Sequence, residues 1–435
     1  MYNNKEELRK KIHSLIPGGA HTYSRGDDQF PENAPSILTR GQSCYVWDTD
    51  DQRYLDYGMG LRAVTVGYAF DPIAKAAIDE IHKGNNLTRP SLTELKAAEL
   101  ITELIPSADM VKFAKNGSTV TSAAVKLARA YTGKRYIAIC AEHPFFSYDD
   151  WFIGTTLMNN GIPEECKILT LKFNYNSIDS LEKLFREYPD QIAAIIMEPA
   201  TTIEPVDNFL QIVKELCHKN GSIFILDEMI TGFRWHLSGA QKYYNVEPDL
   251  STFGKGMANG FSVAALVGKK EIMNLGGILN EGQERVFLIS TTHGAEMSGL
   301  GAFIKTIEVY KELDVVSHLW NYGRKLIEGI NAISKEYGIY KFFYVEGVPC
   351  SPNYVAKDKN EKISLEFRTL FSQEMIKNKV LIPWIALSYS HKELELEITL
   401  EAVKKALETY AAALEEGIDK YLESKTIKPV FRTRN

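Results

Sequence analysis

From about residue 93 the chain alternates between two apolar patterns. Short unbroken runs, YIAIC (136–140), AAIIME (193–198) and IFILDE (223–228), show no polar alternation, as expected of strands buried on both faces of a parallel sheet. Between them lie stretches with helical spacing: TELKAAELITELIP closed by Pro106, TVTSAAVKLARAYTG ended by Gly133, and NFLQIVKELCHKNG. The last of these, residues 208–221, is long enough for a right-handed crossover between parallel strands. VKFA (111–114) predicts one more short strand. The alternation predicts an α/β domain with a mostly parallel central sheet flanked by helices.

The two ends read differently. Residues 5–16 predict a helix stopped at Pro17-Gly18-Gly19, and an irregular polar stretch follows to about residue 43. SCYVWDTDDQRYLDY then predicts a hairpin that turns at Asp50-Asp51. Helical segments around 298–337, a mixed region at 339–395 and a long amphipathic helix from Thr399 predict a smaller α+β domain. The expected organisation is an N-terminal segment 1–54 that contributes to the small domain, a large domain 55–310, and a C-terminal small domain 311–435.

Composition narrows the partners. The 435 residues are 45% hydrophobic and carry a formal net charge of -6 without any basic block, which argues against nucleic acid or an anionic membrane surface. No apolar run approaches membrane-spanning length, and the N-terminus lacks the apolar core of a signal peptide. The five cysteines are scattered with no CxxC pair, and no HExxH occurs, so no metal site is expected. These features describe a soluble cytoplasmic protein.

Candidate chemistry sits at strand ends, where open α/β sheets bind ligands. Glu198 ends one apolar run and Asp227 another, and a carboxylate held as deep as Asp227 needs a cationic or donor partner. Asn116-Gly117-Ser118-Thr119 stands between a strand and a helix, where free amides and two hydroxyls suit a phosphate, although a plain N-cap fits as well. Lys255 lies between two glycines in TFGKGMANGFS. GKGMANG has the wrong spacing for a dinucleotide fingerprint. An anion cradle, a strand-end acid and an uncrowded lysine together suit pyridoxal 5′-phosphate, which needs an amine for its aldehyde and a carboxylate for its ring nitrogen.

The stretch FILDEMITGFRWHLSGAQKYYNVEPDLSTFGKGMANGFSVAALVG, with LIPGGAHTYSR and STTHGAEMSG, resembles the class III (fold type I) aminotransferases, especially the glutamate-1-semialdehyde 2,1-aminomutase branch. The resemblance implies a fold type I enzyme in which Lys255 bonds the cofactor and shuttles a proton, and Asp227 pairs with the ring nitrogen. It implies Met229 on one ring face and Phe145 on the other, the neighbouring Phe146 leaving that register open by one. Asn116, Gly117 and Ser118 would hold the phosphate, Thr291 would reach it from a neighbouring subunit of a homodimer, and Glu198 joins the cofactor-binding set. Arg25 would bind a substrate carboxylate; from the residues alone a solvated or helix-capping arginine serves equally. Where the aminomutase branch has a Gly/Ser-rich lid, this chain reads WFIGTTLMNNGIPEECKILTL, which favours release of a keto product and hence transamination over intramolecular exchange. Thr119 replaces a glutamate of the family, and GMGLRAV puts Leu61 or Arg62 where a tryptophan is expected, so a different substrate is implied. STTHGAE is similar to a variant in proteins of surface-polysaccharide or specialised biosynthesis. The expected function is thus an aminotransferase acting on a small amino donor and a carbonyl acceptor. The alternatives are the aminomutase itself and a non-catalytic cofactor-binding partner protein.

Overall fold

In the computed structural model, which describes residues 5–434, the chain divides into two units: the N-terminal part up to Phe70 joined by Ser317–Arg432, and Asp71–Val316. Met1–Asn4 of the expected N-terminal segment and Asn435 lie outside the described residues.

The first unit begins with the helix Lys5–Leu15 and a meander of β1 (Leu38–Gln42), β2 (Tyr45–Asp48) and β3 (Arg53–Asp56). The turn between β2 and β3 is where Asp50-Asp51 predicts it: Asp48 Oδ1 accepts from the amides of Asp50 and Gln52, both at 2.9 Å, and Asp51 takes φ +57°. β1 falls in the stretch read as irregular. Its LTRGQ is exposed along most of its length, so it carries no apolar alternation to reveal it.

The second unit holds a seven-stranded sheet. β4 (Met110–Ala114), β5 (Tyr136–Cys140), β6 (Thr170–Phe173), β7 (Ile192–Met197), β8 (Ile223–Asp227), β9 (Leu250–Phe253) and β10 (Ala264–Gly268) lie in the order β4-β10-β9-β8-β7-β5-β6. Only β10 runs against its neighbours. The sequence reading misses β6, β9 and β10, which are four or five residues long; TLKF and LSTF alternate or mix polarity too briefly to register. On one face Phe173, Leu181, Phe209, Val213 and Phe224 pack sheet against the helices Ile178–Glu187 and Phe209–Lys219. Each such side chain contributes roughly 1.5–3 kcal/mol on burial.

The chain then returns to the first unit. β11 (Phe343–Glu346) and β12 (Asn353–Ala356) form a hairpin, and β13 (Val380–Leu381) adds to β3 in parallel. The helices Leu365–Lys377 and Glu393–Glu416 pack with these through Phe343, Phe367, Phe371 and Tyr410. The last helix starts six residues before Thr399, because the Glu395 carboxylate takes the Lys392 amide at 2.9 Å and so caps an earlier turn. Among the described residues no helix is long and apolar enough to cross a membrane.

Candidate active site

Because β10 alone is reversed, the C-terminal ends of β4, β5, β7, β8 and β9 share one edge of the sheet. Asp227 is the last residue of β8, and its register partner in β9 is Thr252, three residues before Lys255. Glu198 follows β7, Asn116 lies two residues beyond β4, and Phe145 five beyond β5. Topology alone therefore brings these groups to the place where such sheets bind ligands.

Asp227 is 2% exposed. Its Oδ1 accepts from the Thr252 hydroxyl at 2.9 Å and the Met229 amide at 3.1 Å. Burial pushes its carboxyl up to about 6, against the opposing pull of the Lys255 charge and those two donors. Lys255 opens a single tight turn with φ +43°, and the Tyr310 hydroxyl holds that turn by donating to the Gly256 carbonyl at 2.7 Å.

Met229 joins the pieces. A Cβ placed on Gly117 would stand 2.9 Å from its sulfur, and one on Gly254 only 2.7 Å. The methionine side chain therefore lies against both glycines, one at the helix start and one beside the lysine. Gly254 is glycine here because Met229 fills the space a side chain would need. The uncrowded lysine of the sequence reading is the consequence of a neighbour packed from another strand end.

The helix Gly117–Thr132 begins at Asn116, whose Oδ1 accepts from the Thr119 amide at 3.0 Å and the Thr119 hydroxyl at 3.1 Å. Asn116 is thus an N-cap, and the Thr119 hydroxyl is engaged within the cap. The amides of Gly117 and Ser118, first in the helix, have no carbonyl within it to bond, an arrangement suited to an anion. Ser118 Oγ accepts from the Tyr148 amide at 3.0 Å and keeps its own proton to donate.

Of the two candidate aromatics, Phe146 is 2% exposed whereas Phe145 is 46% exposed, set edge-on to Phe152 at 5.6 Å. Only Phe145 has a face to offer. Glu198 is buried, and its amide donates to His143 Nδ1 at 3.0 Å, which places the imidazole proton on Nε2. Burial lowers His143 to about 4, so the ring is neutral near pH 7.

Thr291 is exposed, in a loop tied back to the helix start: Glu296 pairs with Lys115, the residue before Asn116, and His293 Nδ1 lies 3.4 Å from Glu296. Among the described residues no hydrogen bond joins Thr291 to Asn116, Gly117 or Ser118. Arg25 belongs to the first unit, where it lines a cavity of about 530 Å³ with His21, Phe30, Leu61, Tyr68 and Trp384.

Sequence reasoning missed two groups that shape this edge. His143 carries no signal beyond being a histidine near a strand end. Glu228, wholly buried, accepts from the amides of Ala240 (2.6 Å) and Gln241 (2.9 Å) and from the Thr231 hydroxyl (2.9 Å), so it pins the loop after Asp227. Its signal was present in DEMIT, where a second acid directly follows the one that ends a buried strand.

The aminotransferase class-III family model matches residues 28–370. The 3-aminobutyryl-CoA aminotransferase of Cloacimonas acidaminovorans (strain Evry) is 32% identical over 410 residues, 92% of this chain and 95% of that protein. A glutamate-1-semialdehyde 2,1-aminomutase of Desulforamulus reducens is 30% identical over 441 residues, 95% and 99% of the two chains. Among solved structures, the FumI protein of Sphingopyxis sp. MTA144, in its pyridoxal phosphate internal aldimine form, superimposes with a TM-score of 0.85 at 25% identity over 97% of this chain and 98% of that one. The fold is that of the fold type I transferases.

Proposed function

The chain belongs to the class-III aminotransferases, pyridoxal 5′-phosphate enzymes that move an amino group from an amino donor to a carbonyl acceptor, and from this premise we propose how its own residues do so. The donor set fits the cofactor: a lysine, a buried carboxylate in its field, a helix start with unbonded amides, and two glycines closed over one methionine. When bound, the cofactor supplies an aldehyde that takes up the amine and a ring that accepts the electrons released at Cα.

In this reading Lys255 would hold the cofactor through its aldehyde and would carry the proton to and from the substrate's Cα. Asp227, ionised, would keep the ring nitrogen protonated. Met229 and Phe145 would hold the ring by packing against it. The amides of Gly117 and Ser118 with the Ser118 hydroxyl hold the phosphate, Asn116 keeps them aimed, and the partner subunit's Thr291 completes the site. Glu198 and its histidine close the floor. Arg25 binds a substrate carboxylate, with Phe30, Leu61 and Trp384 receiving the apolar body. A homodimer belongs to the same proposal, supported by the individually exposed apolar side chains Ile78, Ile81, Leu87, Leu92 and Leu95 that a second copy would cover. The same proposal places the enzyme in the cytoplasm.

The observation that carries the reading is the buried Asp227, hydrogen-bonded by Thr252 one strand away from Lys255. Borohydride reduction of the loaded protein should fix the cofactor's mass on Lys255, and Lys255→Ala should lose both the adduct and turnover while still binding cofactor noncovalently. Full activity in Lys255→Ala would sink the assignment. Transamination is separated from the aminomutase reading by the donor: glutamate-1-semialdehyde converted to 5-aminolevulinate with no added amino donor would reverse that choice.

A further inference from the structure

After β3 the backbone enters a conformation that L-residues avoid. Met59, Gly60, Leu61 and Arg62 take φ of 39°, 56°, 63° and 68° in succession. One whole turn of chain is left-handed, and only Gly60, which has no Cβ to crowd the following carbonyl, adopts it without strain. Such an arrangement persists only where its surroundings over-determine it.

Two side chains do so. Asp56, 3% exposed, accepts from the Gly58 amide at 2.7 Å on Oδ1, and from the Met59 amide at 3.0 Å and the Tyr68 hydroxyl at 2.7 Å on Oδ2. The same Tyr68 hydroxyl accepts from the Gly60 amide at 2.7 Å. One phenol thus gives its proton to the carboxylate and takes one from the middle of the turn. Tyr68 is itself fixed independently of the turn. Its backbone exchanges hydrogen bonds with Ser43, and its ring lies so close over Gly41 that a Cβ there would stand 2.8 Å from its Cγ. The hydroxyl is therefore a fixed point, set by the β1–β2 hairpin, from which the turn hangs. The turn presents Leu61 to the cavity that Arg25 lines, and Asp56, Gly58, Gly60 and Tyr68 contribute to the same wall.

We infer that Asp56 and Tyr68 are positioning residues that hold Met59–Arg62 left-handed and so fix Leu61 as the wall deciding which side chain the Arg25 cavity accepts. The inference rests on the reading of that cavity as the place of a carboxylate substrate. Without the phenol's hydroxyl the Gly60 amide loses its acceptor and Asp56 one of its three donors. The turn is then free to relax toward an ordinary conformation, and Leu61 moves with it.

Propanoate and 3-phenylpropanoate, unreactive acids that share a carboxylate and differ by one ring, probe this by calorimetry on the cofactor-loaded enzyme. Arg25→Ala should weaken both alike. Tyr68→Phe should change the ratio of their dissociation constants by about three- to tenfold, within the range a single apolar contact gives, and in the same direction as Leu61→Ala. A purely structural role for Tyr68 would lower the melting temperature and leave the ratio alone. Both acids binding with the ratio within about twofold of wild type in Tyr68→Phe would overturn the latch while leaving the cavity reading intact. Should Tyr68→Phe not fold, Leu61→Ala decides, since an unchanged ratio there removes Leu61 as the wall. Neither acid binding the wild type, or Arg25→Ala leaving both constants unchanged, would overturn the cavity reading and this inference with it.

Discussion

Replacing Asp227 with asparagine should make the cofactor-free protein more stable while destroying its activity. The carboxyl is pushed up to about 6 in the fold against an ordinary 3.8, with burial the largest cause. Between pH 4 and 6 the native state therefore holds a proton that the unfolded chain has already released. Stability falls as pH rises through that window and stays lowered above it. Two pKa units correspond to about 3 kcal/mol at 1.36 kcal/mol per unit. Asparagine carries no charge to bury, and its Oδ1 can still accept from Thr252 and Met229. Urea unfolding of both proteins after cofactor removal, at pH values from 4 to 8, measures the difference. It should be near zero at pH 4, grow in favour of Asp227→Asn through pH 6, and level off at up to about 3 kcal/mol. Adding pyridoxal phosphate should reverse the order if, as proposed, its protonated ring nitrogen pairs with the wild-type carboxylate, a pairing asparagine cannot make. A difference independent of pH, or a variant less stable at pH 8, would refute the claim that burial strains the Asp227 charge.

Gly254→Ala puts a Cβ 2.7 Å from the Met229 sulfur and should cost about 1–3 kcal/mol by overpacking. Combining it with Met229→Ala should recover at least about 1 kcal/mol of that in a double-mutant cycle; additivity within about 0.5 kcal/mol would show that the two do not touch. Asn116→Ala removes the cap on the Thr119 amide and should lower stability by about 1 kcal/mol, with weaker retention of the cofactor in a dialysis series. Glu228→Gln turns one acceptor oxygen into a donor facing the amides of Ala240 and Gln241, and should lower stability by roughly 2–3 kcal/mol in thermal melts.

The apolar runs YIAIC, AAIIME and IFILDE announced β5, β7 and β8, because strands covered on both faces need no polar positions. The reversed strand β10 and the short β9 stayed hidden, since their pairing is decided by neighbours distant in sequence. The strand-end acids and the Lys255 loop were legible as residue types in context. Their mutual fit was not. Met229 meets Gly117 across 112 positions and Gly254 across 25, and no local pattern encodes a contact of that kind. The left-handed turn is equally silent: GMGLR offers Gly60 as a hint, while Leu61 and Arg62 argue against any positive φ. It exists because a carboxylate before it and a phenol after it both reach its amides.

The single reversed strand also acts as a spacer. β10 lies between β9, which precedes the Lys255 turn, and β4, which precedes the helix from Gly117, so the two strand ends are two inter-strand steps apart, about 10 Å. That separation is made of backbone hydrogen bonds and is indifferent to which side chains the strands carry. Substitution of Met229 can retune how the segments beyond the strands, at Gly117 and Gly254, pack together without altering that width. Only adding or removing a strand would. A chain can therefore vary the residues beyond its strand ends while the spacing of those ends stays fixed.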